Sequence, residues 1–243
     1  MKIDNLETRI SQAVAQYWLT RQKQSQKQKG AGRSDQGARS AVTGGAQMDG
    51  FVRLITELIV EAGAKESDIF QNKRLELPGF FRPTKKWDLL VVSDGQLIVA
   101  LEAKSHVGSF GNNFNNRTEE AMGSALDLWT AFREGAFNRA VKPWLGYLFL
   151  LEDSNKSRRP VKVREPHFRV FPEFANSSYA RRYELFCRKL VRERHYDVSS
   201  FLMSDRHEGL NGGYSEPAKD LTFELFAKSL MAQINAFATS KKL

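Results

Sequence analysis

The sequence predicts a single α/β domain, because helical and strand-like segments alternate along a chain of ordinary globular composition. With 243 residues, 41% of them hydrophobic, the chain can bury one large core or two small ones. The residues from Leu75 to Lys104 have the apolar pattern of strands, whereas apolar residues near both ends recur at helical spacing. No internal repeat or clear linker divides the chain, which favours one domain.

The predicted helices share apolar residues that recur every three or four positions. The first helix begins where Asp4 and Glu7 form a capping pattern and runs to about Arg21. The others cover about 47–62, 118–134, 179–195 and 221–237, and that at 179–195 is strongly basic.

Two further segments are predicted to be strands. Trp144 to Leu151 is almost continuously apolar, which indicates a strand buried on both faces. His167 to Phe171 lies between prolines and is predicted to be a shorter strand.

The segment at about 22–45 has several basic residues and no apolar periodicity. Two interpretations remain open. It is either a solvated loop or a basic arm that becomes ordered when it contacts phosphates.

The composition favours some partners and excludes some classes of protein. A net charge of +9 attracts polyanions and favours nucleic acid over an acidic membrane or an acidic protein. One cysteine, Cys187, excludes an internal disulfide framework and is expected to be a buried apolar side chain. No apolar run is long enough to span a bilayer, and no signal-peptide core is present, so we expect a cytoplasmic protein.

Three charged residues interrupt the apolar strand pattern. Asp88 precedes one apolar run, and Glu102 and Lys104 end the next, after a turn at Asp94-Gly95. Because side chains alternate along a strand, Glu102 and Lys104 share one face, while Ala103 points to the other.

The register of this hairpin decides whether Asp88 joins that face. A two-residue loop at Asp94-Gly95 would place position 88 opposite position 101, on the wrong face. A three-residue loop with a bulge at Gly95 pairs Asp88 with Ala100 and makes Asp88 diagonal to Glu102. We therefore predict the three-residue loop.

Two carboxylates on one face could bind a divalent cation. Carboxylate oxygens, completed by water and phosphate oxygens, suit Mg²⁺ better than Zn²⁺, and His106 is the only histidine close in sequence. Lys104 could orient an attacking water or stabilise developing charge during hydrolysis of a phosphodiester. The alternative is a structural ion pair between Lys104 and either Asp88 or Glu102.

With these residues in view, the chain resembles nucleases of the PD-(D/E)xK superfamily and, within it, the XhoI-type restriction endonucleases. The likeness extends over essentially the whole chain and is carried by the segments 41–51, 77–88 and 101–120. It implies a restriction-endonuclease-like core, with a central mixed β-sheet flanked by α-helices. It also implies a Mg²⁺-dependent homodimer, paired with a DNA methyltransferase, that cuts both strands of duplex DNA at CTCGAG.

The resemblance assigns roles to the charged residues. Asp88 corresponds to the acid of the first catalytic strand, and Glu102-Ala103-Lys104 corresponds to the E-x-K motif. The implied catalytic residues are thus Asp88, Glu102 and Lys104, and the implied metal ligands are Asp88, Glu102 and Ala103. Trp87 stands where the motif has proline, a residue that holds no metal.

Many members of this superfamily add an acid from an upstream helix. Glu57 is our choice because it lies in the middle of the second predicted helix, and Asp49 and Glu61 compete with it. A solvated surface role for Glu57 is the alternative.

Polar and basic side chains elsewhere are candidates for contacts with DNA. Asparagine can bond the edge of adenine and arginine that of guanine, which suggests base contacts for Asn112, Asn113, Asn115, Asn116 and Arg117. The same asparagines could instead form a turn or cap the next helix. Arg181 and Arg182 either contact phosphates or form a solvated helical face.

Two other functions remain open. A structure-selective or repair nuclease of the same fold would recognise the shape of DNA instead of its sequence. A non-catalytic DNA-binding module would use the charged triplet only as an ion pair.

Overall fold

A computed structural model describes residues 3–30, 46–138 and 142–240 of the chain, apart from the side chains of residues 27–30 and Asn112. Its strands are β1 (Ile69–Phe70), β2 (Glu76–Pro78), β3 (Thr84–Lys86), β4 (Leu89–Ser93), β5 (Gln96–His106), β6 (Trp144–Glu152) and β7 (Val198–Ser204). Its α-helices are α1 (Leu6–Gly30), α2 (Asp49–Glu61), α3 (Phe110–Arg133), α4 (Asn155–Arg158), α5 (Tyr179–Arg192), α6 (Arg206–Leu210) and α7 (Phe223–Ser240).

A five-stranded mixed sheet forms the centre of the domain, with strand order β1-β4-β5-β6-β7. The strands β1, β4 and β5 pair antiparallel, whereas β5, β6 and β7 pair parallel. A separate antiparallel ribbon contains β2 and β3 and lies just before β4 in the chain. This architecture confirms the predicted α/β class with a central mixed sheet flanked by helices.

Helices cover both faces of the sheet and create two apolar cores. The helices α1, α2 and α7 share one core with side chains such as Leu101 and Ala103, while α3 and α5 share the other with Ala100. All nine residues of β6 are buried, as its continuous apolar sequence predicts for a strand covered on both sides. By alternation, Glu102 and Lys104 project towards the α3 and α5 side.

Most predicted helices are confirmed, with shifted ends. The first does not end near Arg21 but continues to Gly30. The rest of the proposed basic arm, 31–45, lies outside the described residues. The helix predicted at 118–134 begins earlier, at Phe110, so that most of the segment 108–117 is helical as well.

The structure also changes two strand assignments. The strand predicted from His167 to Phe171 is wrong; those residues form an irregular loop in which Phe168 is 89% exposed. The three prolines around it lack the N–H groups that a sheet requires, and prolines at both ends leave too short a run between them. Conversely, β7 is not predicted, since three serines among its seven residues interrupt the apolar run.

Cys187 is a buried free thiol on α5, as expected. Within the described ranges, none of the helices has both the length and the apolar character needed to cross a bilayer.

Candidate active site

The β4–β5 hairpin turns more tightly than predicted. Asp94 and Gly95 have φ angles of 51° and 72°, and Ser93 pairs with Gln96, so the loop has two residues. The predicted three-residue loop with a bulge at Gly95 is therefore wrong.

A bulge does occur, but within β5 and not at the turn. Val91 pairs with Val99 and Val92 pairs with Leu97, which leaves Ile98 as the additional residue on β5. This shift moves the register beyond the bulge by one residue.

The shifted register places Asp88 beside Glu102. Leu89 pairs with Leu101, and the backbone N–H of Asp88 donates to the Leu101 carbonyl at 3.1 Å. Asp88 thus lies just before β4 and next to the end of its pairing with β5. The chain still satisfies the geometric condition of the motif, through a different bulge.

Three charged groups converge at this point. The Lys104 ammonium lies 3.0 Å from Asp88 Oδ2 and 3.2 Å from Glu102 Oε1. The backbone N–H of Ala103 donates to Asp88 Oδ2 at 2.8 Å. Because N–H and C=O of one strand residue point to the same side, the Ala103 carbonyl also faces Asp88.

Electrostatics keeps Glu102 and Lys104 charged. Burial acts to raise the pKa of Glu102, whose side chain is 3% exposed, but Lys104 and Lys85 outweigh it and the pKa is lowered. Burial acts to lower the pKa of Lys104, but Glu102 and Asp88 outweigh it and the pKa is raised. The cluster is therefore an ionic network in a largely desolvated setting.

Lys85 is a second cation at this site. Its ammonium lies 3.2 Å from the same oxygen of Glu102, Oε1, and 4.2 Å from the centroid of the Trp87 ring. Burial lowers the pKa of Lys85, while Glu102 opposes that shift. The sequence does not identify Lys85 as part of the site. Lys85 lies on the separate ribbon, and sequence spacing does not show where this ribbon lies relative to β5.

Tyr196 supports the remaining oxygen of Glu102. Its hydroxyl lies 3.1 Å from Glu102 Oε2 and 3.1 Å from the Ala121 carbonyl of α3. Burial, and then the charge of Glu102, raise the pKa of Tyr196 well above its usual value, so the hydroxyl keeps its proton. The residue lies far along the chain from Glu102, and nothing in the sequence marks it.

The oxygens at this site suit a hard cation. Among the residues that the structure describes, no three His, Cys, Asp or Glu side chains gather into a metal-binding group. The donors at hand are the carboxylates of Asp88 and Glu102 and the Ala103 carbonyl, and oxygen donors of this kind favour Mg²⁺ or Ca²⁺.

Comparison with known proteins identifies the family. The family model described as "Restriction endonuclease XhoI" matches residues 27–216. The chain belongs to the XhoI restriction endonuclease family. It is thus a type II restriction enzyme, a site-specific deoxyribonuclease.

Three curated relatives are similar over most of their length. Type II restriction enzyme BstVI of Geobacillus stearothermophilus is 56% identical over 212 residues, which cover 85% of this chain and 95% of that protein. Type II restriction enzyme XhoI of Xanthomonas vasicola is 49% identical, with 73% and 72% covered. Type II restriction enzyme AbrI of Azospirillum brasilense is 47% identical, with 70% and 77% covered. No solved structure matches the chain significantly.

The structure separates the acids considered for the upstream helix of this XhoI-family chain. Glu57 and Glu61 both pair with Arg9 of α1 at 2.9 Å, and their side chains are 51% and 47% exposed. Asp49 begins α2, and the pKa of its carboxyl is raised by burial and then by the charge of Asp88, while Arg53 opposes the shift. All three acids are exposed, so Asp49 is distinguished by its electrostatic coupling to Asp88, whereas Glu57 is engaged with Arg9 of α1.

The asparagine candidates lie on a helix and not on a loop. Asn113, Asn115 and Asn116 are exposed on the first turns of α3, and the Asn113 amide donates to the Ser109 carbonyl at 3.3 Å. The side chain of Asn112 lies outside the described part of the chain. Arg117 pairs with Glu120 at 2.7 Å.

The two arginines on α5 have different surroundings. Arg181 is 46% exposed and pairs with Glu184. Arg182 donates to Ser177 Oγ at 3.0 Å and to the Val161 carbonyl at 3.1 Å, and its guanidinium lies 5.2 Å from the Tyr179 ring centroid. Arg182 thus ties the preceding loop to α5, while Arg181 faces solvent.

Proposed function

We propose that this restriction enzyme cuts duplex DNA at CTCGAG in a Mg²⁺-dependent reaction, as a homodimer. The observation that carries the proposed chemistry is the convergence of the Asp88 and Glu102 carboxylates on one ammonium, at 3.0 and 3.2 Å. The site CTCGAG follows from the resemblance to XhoI-type enzymes, and relatives named as type II restriction enzymes support it.

Asp88, Glu102 and the Ala103 carbonyl would hold the metal ion. When bound, Mg²⁺ would polarise the scissile phosphate and lower the pKa of a bound water. The two carboxylate oxygens that lie so close to the Lys104 ammonium also suit a divalent cation. An ammonium and a divalent cation both bind where two negative oxygens lie a few ångströms apart.

Lys104 acts next to these carboxylates. Its raised pKa keeps the ammonium charged at neutral pH, so it orients water or phosphate oxygens and stabilises negative charge in the transition state. Lys85 and Tyr196 fix the Glu102 carboxylate from both of its oxygens and are positioning residues.

We propose Asp49, in place of Glu57, as the upstream acid. Its electrostatic coupling to Asp88 supports this choice, as does the engagement of Glu57 with Arg9. The test is a matched pair of variants. Asp49→Asn should slow cleavage at least about tenfold, whereas Glu57→Gln should leave the rate within about twofold. If Glu57→Gln slowed cleavage more than Asp49→Asn did, Glu57 would be the upstream acid.

We propose DNA contacts for most of the asparagines and arginines that were selected from the sequence. Exposure supports base contacts from Asn113, Asn115 and Asn116, and phosphate contacts from Arg181. Asn112 and Arg117 are proposed with them because they lie on the same helix, where Arg117 pairs with Glu120. Arg182 is proposed to have a structural role, because its donors are used by Ser177 and Val161.

The palindrome supports the homodimer, since two subunits related by a two-fold axis can contact two identical half-sites. A partner DNA methyltransferase, which would protect the host's own sites, and a cytoplasmic location, where that DNA lies, complete the proposal.

One experiment tests the central proposal. The pure protein is incubated with Mg²⁺ and a linear DNA that contains one CTCGAG, beside the same DNA with one base of that site changed. We expect two discrete fragments from the first DNA alone, and no product in EDTA. Cleavage of neither DNA would refute the proposed site, and cleavage at branched structures regardless of sequence would favour a structure-selective nuclease.

Two variants test the metal ligands. Asp88→Asn and Glu102→Gln should abolish cleavage while retaining DNA binding in a gel-shift assay, because they remove metal ligands and not phosphate contacts. Loss of binding together with a lower melting temperature would indicate the structural ion pair instead.

A further inference from the structure

We propose that residues 79–83, here called the aromatic loop, form a rigid wedge that presses Phe80 and Phe81 against the bases of duplex DNA beside the cut site. This inference rests on the proposed function as a DNA nuclease. It assigns a role to the segment 77–88, which carries the family likeness but has no part in the proposed chemistry before Lys85.

The two rings of the aromatic loop are exposed. Phe80 is 52% exposed and Phe81 is 65% exposed, and their rings contact each other edge to face with centroids 5.0 Å apart. Exposed phenylalanine side chains forgo the stabilisation that burial provides. Paired exposed rings therefore indicate a surface that becomes covered by a partner.

The loop is held in one conformation by a buried carboxylate. Asp127 of α3, with a side chain 4% exposed, accepts hydrogen bonds from the backbone N–H groups of Phe80 at 2.7 Å and Phe81 at 2.9 Å. It also accepts one from Arg82 Nε at 2.6 Å. A Cβ atom at Gly79 would lie 2.6 Å from Asp127 Oδ2, so only glycine fits there without displacement. The rings are thus presented on a preorganised support.

The aromatic loop lies close to the candidate active site. It closes the ribbon in which Pro78 pairs with Thr84. Lys85 follows Phe81 by four positions, so their Cα atoms lie at most about 14 Å apart. The Lys85 side chain contacts Glu102, so the rings and the carboxylates can contact the same duplex, in which six base pairs span about 20 Å.

The charges around the rings favour DNA over an apolar protein surface. Arg82 and Lys86 flank them and are exposed, as are Lys73 and Arg74 just before the ribbon. Proteins that kink DNA combine apolar wedges with basic side chains in this way, since the cations contact phosphates while the wedge unstacks a base step.

The test measures binding and base unstacking together. The Kd for a CTCGAG duplex is measured in Ca²⁺ with the wild type and with the double variant Phe80→Ala/Phe81→Ala. The Kd should rise about 5- to 150-fold, which corresponds to about 1–3 kcal/mol of base–aromatic stacking. A 2-aminopurine placed at successive positions of the duplex should brighten with the wild type at one step, and this signal should disappear in the variant.

Matched variants keep the result interpretable. Leu225→Ala removes another exposed apolar side chain, on α7 behind the opposite face of the sheet, and should leave the Kd unchanged. Phe80→Trp/Phe81→Trp keeps the rings and should retain at least most of the affinity. The slope of log Kd against log salt should not change in the alanine variant, because the rings neutralise no phosphate.

Other outcomes would overturn the proposal. An unchanged Kd and 2-aminopurine signal, with normal CTCGAG cleavage in Mg²⁺ by the wild type, would refute the wedge but leave the proposed function standing. Conversion of a dimer into monomers by the alanine variant, with an unchanged Kd, would make the rings a subunit contact. A wild type that cuts no DNA would remove the proposed function and the wedge with it.

Discussion

Removal of the Tyr196 hydroxyl is a sharp test of how the candidate metal ligand Glu102 is positioned. Lys85 and Lys104 both contact Oε1 of Glu102, whereas the Tyr196 hydroxyl lies 3.1 Å from Oε2. Tyr196→Phe therefore removes the hydroxyl contact to one oxygen and leaves the contacts to the other in place.

The structure sets the size of the effect. A hydrogen bond to a charged group contributes about 1.5–3 kcal/mol. Loss of a group that hydrogen-bonds to a metal ligand changes metal affinity or activity about 10- to 100-fold, which is the same energy range. The ring itself stays, and with it the contact to Tyr147, whose centroid lies 5.1 Å away. We expect the fold to survive and the metal dependence to change.

The assay is a Mg²⁺ titration of the cleavage rate at saturating DNA. For Tyr196→Phe, the Mg²⁺ concentration at half-maximal rate should rise about 10- to 100-fold. Tyr214→Phe is the control, since Tyr214 packs against the core on the other face of the sheet. A Tyr196→Phe enzyme with the wild-type Mg²⁺ dependence would refute a positioning role, and a lower melting temperature alone would leave only a structural one.

Two further predictions concern stability and pH. Backbone N–H groups and Arg82 outweigh burial and lower the pKa of Asp127 in the fold, so its stabilisation is present above the unfolded pKa and lost as pH falls through the lower, folded value. Asp127→Asn should therefore lower the free energy of unfolding by about 1–3 kcal/mol at neutral pH and flatten its decline in acid, as measured by urea titration. Burial lowers the pKa of His106 to about 4, so that between about pH 6.5 and 4 the unfolded chain binds a proton that the fold does not. The free energy of unfolding should thus fall by about 3 kcal/mol as the pH is lowered from about 6.5 to 4. Urea titrations of His106→Gln should lack this pH-dependent decrease.

The sequence predicted the parts of the fold in which local pattern and tertiary packing agree. The wholly buried strand β6 and the amphipathic helix α2 are examples. The start of α3 was not predicted, because glycine and asparagine in 108–117 favour turns. Packing decides there: Phe110 and Phe114, one helical turn apart, both contact Tyr179. That burial outweighs the weak local preference.

The hairpin register shows a different limit of sequence reasoning. The residues from Leu97 to Leu101 are all apolar and all buried, so no alternation reveals which of them is the additional one. The need to bring Asp88 to Glu102 correctly demanded a bulge, but chemistry does not say at which residue it lies. Lys85 and Tyr196 could not be found at all, since only tertiary structure brings the ribbon and the segment before β7 to Glu102.

The structural ion pair accounts poorly for this cluster. A buried ion pair is often no more stabilising than an apolar pair of similar volume, because desolvation offsets its attraction. One lysine would suffice to neutralise Glu102, yet two ammonium groups contact the same oxygen at 3.2 Å, and a tyrosine hydroxyl lies near the other. The Ala103 N–H also fixes the second carboxylate, Asp88, beside them. An arrangement that desolvates the Glu102 carboxylate, keeps it ionised and fixes a second carboxylate beside it is costly for stability alone, but it is what a nuclease needs to bind a metal ion next to a phosphate.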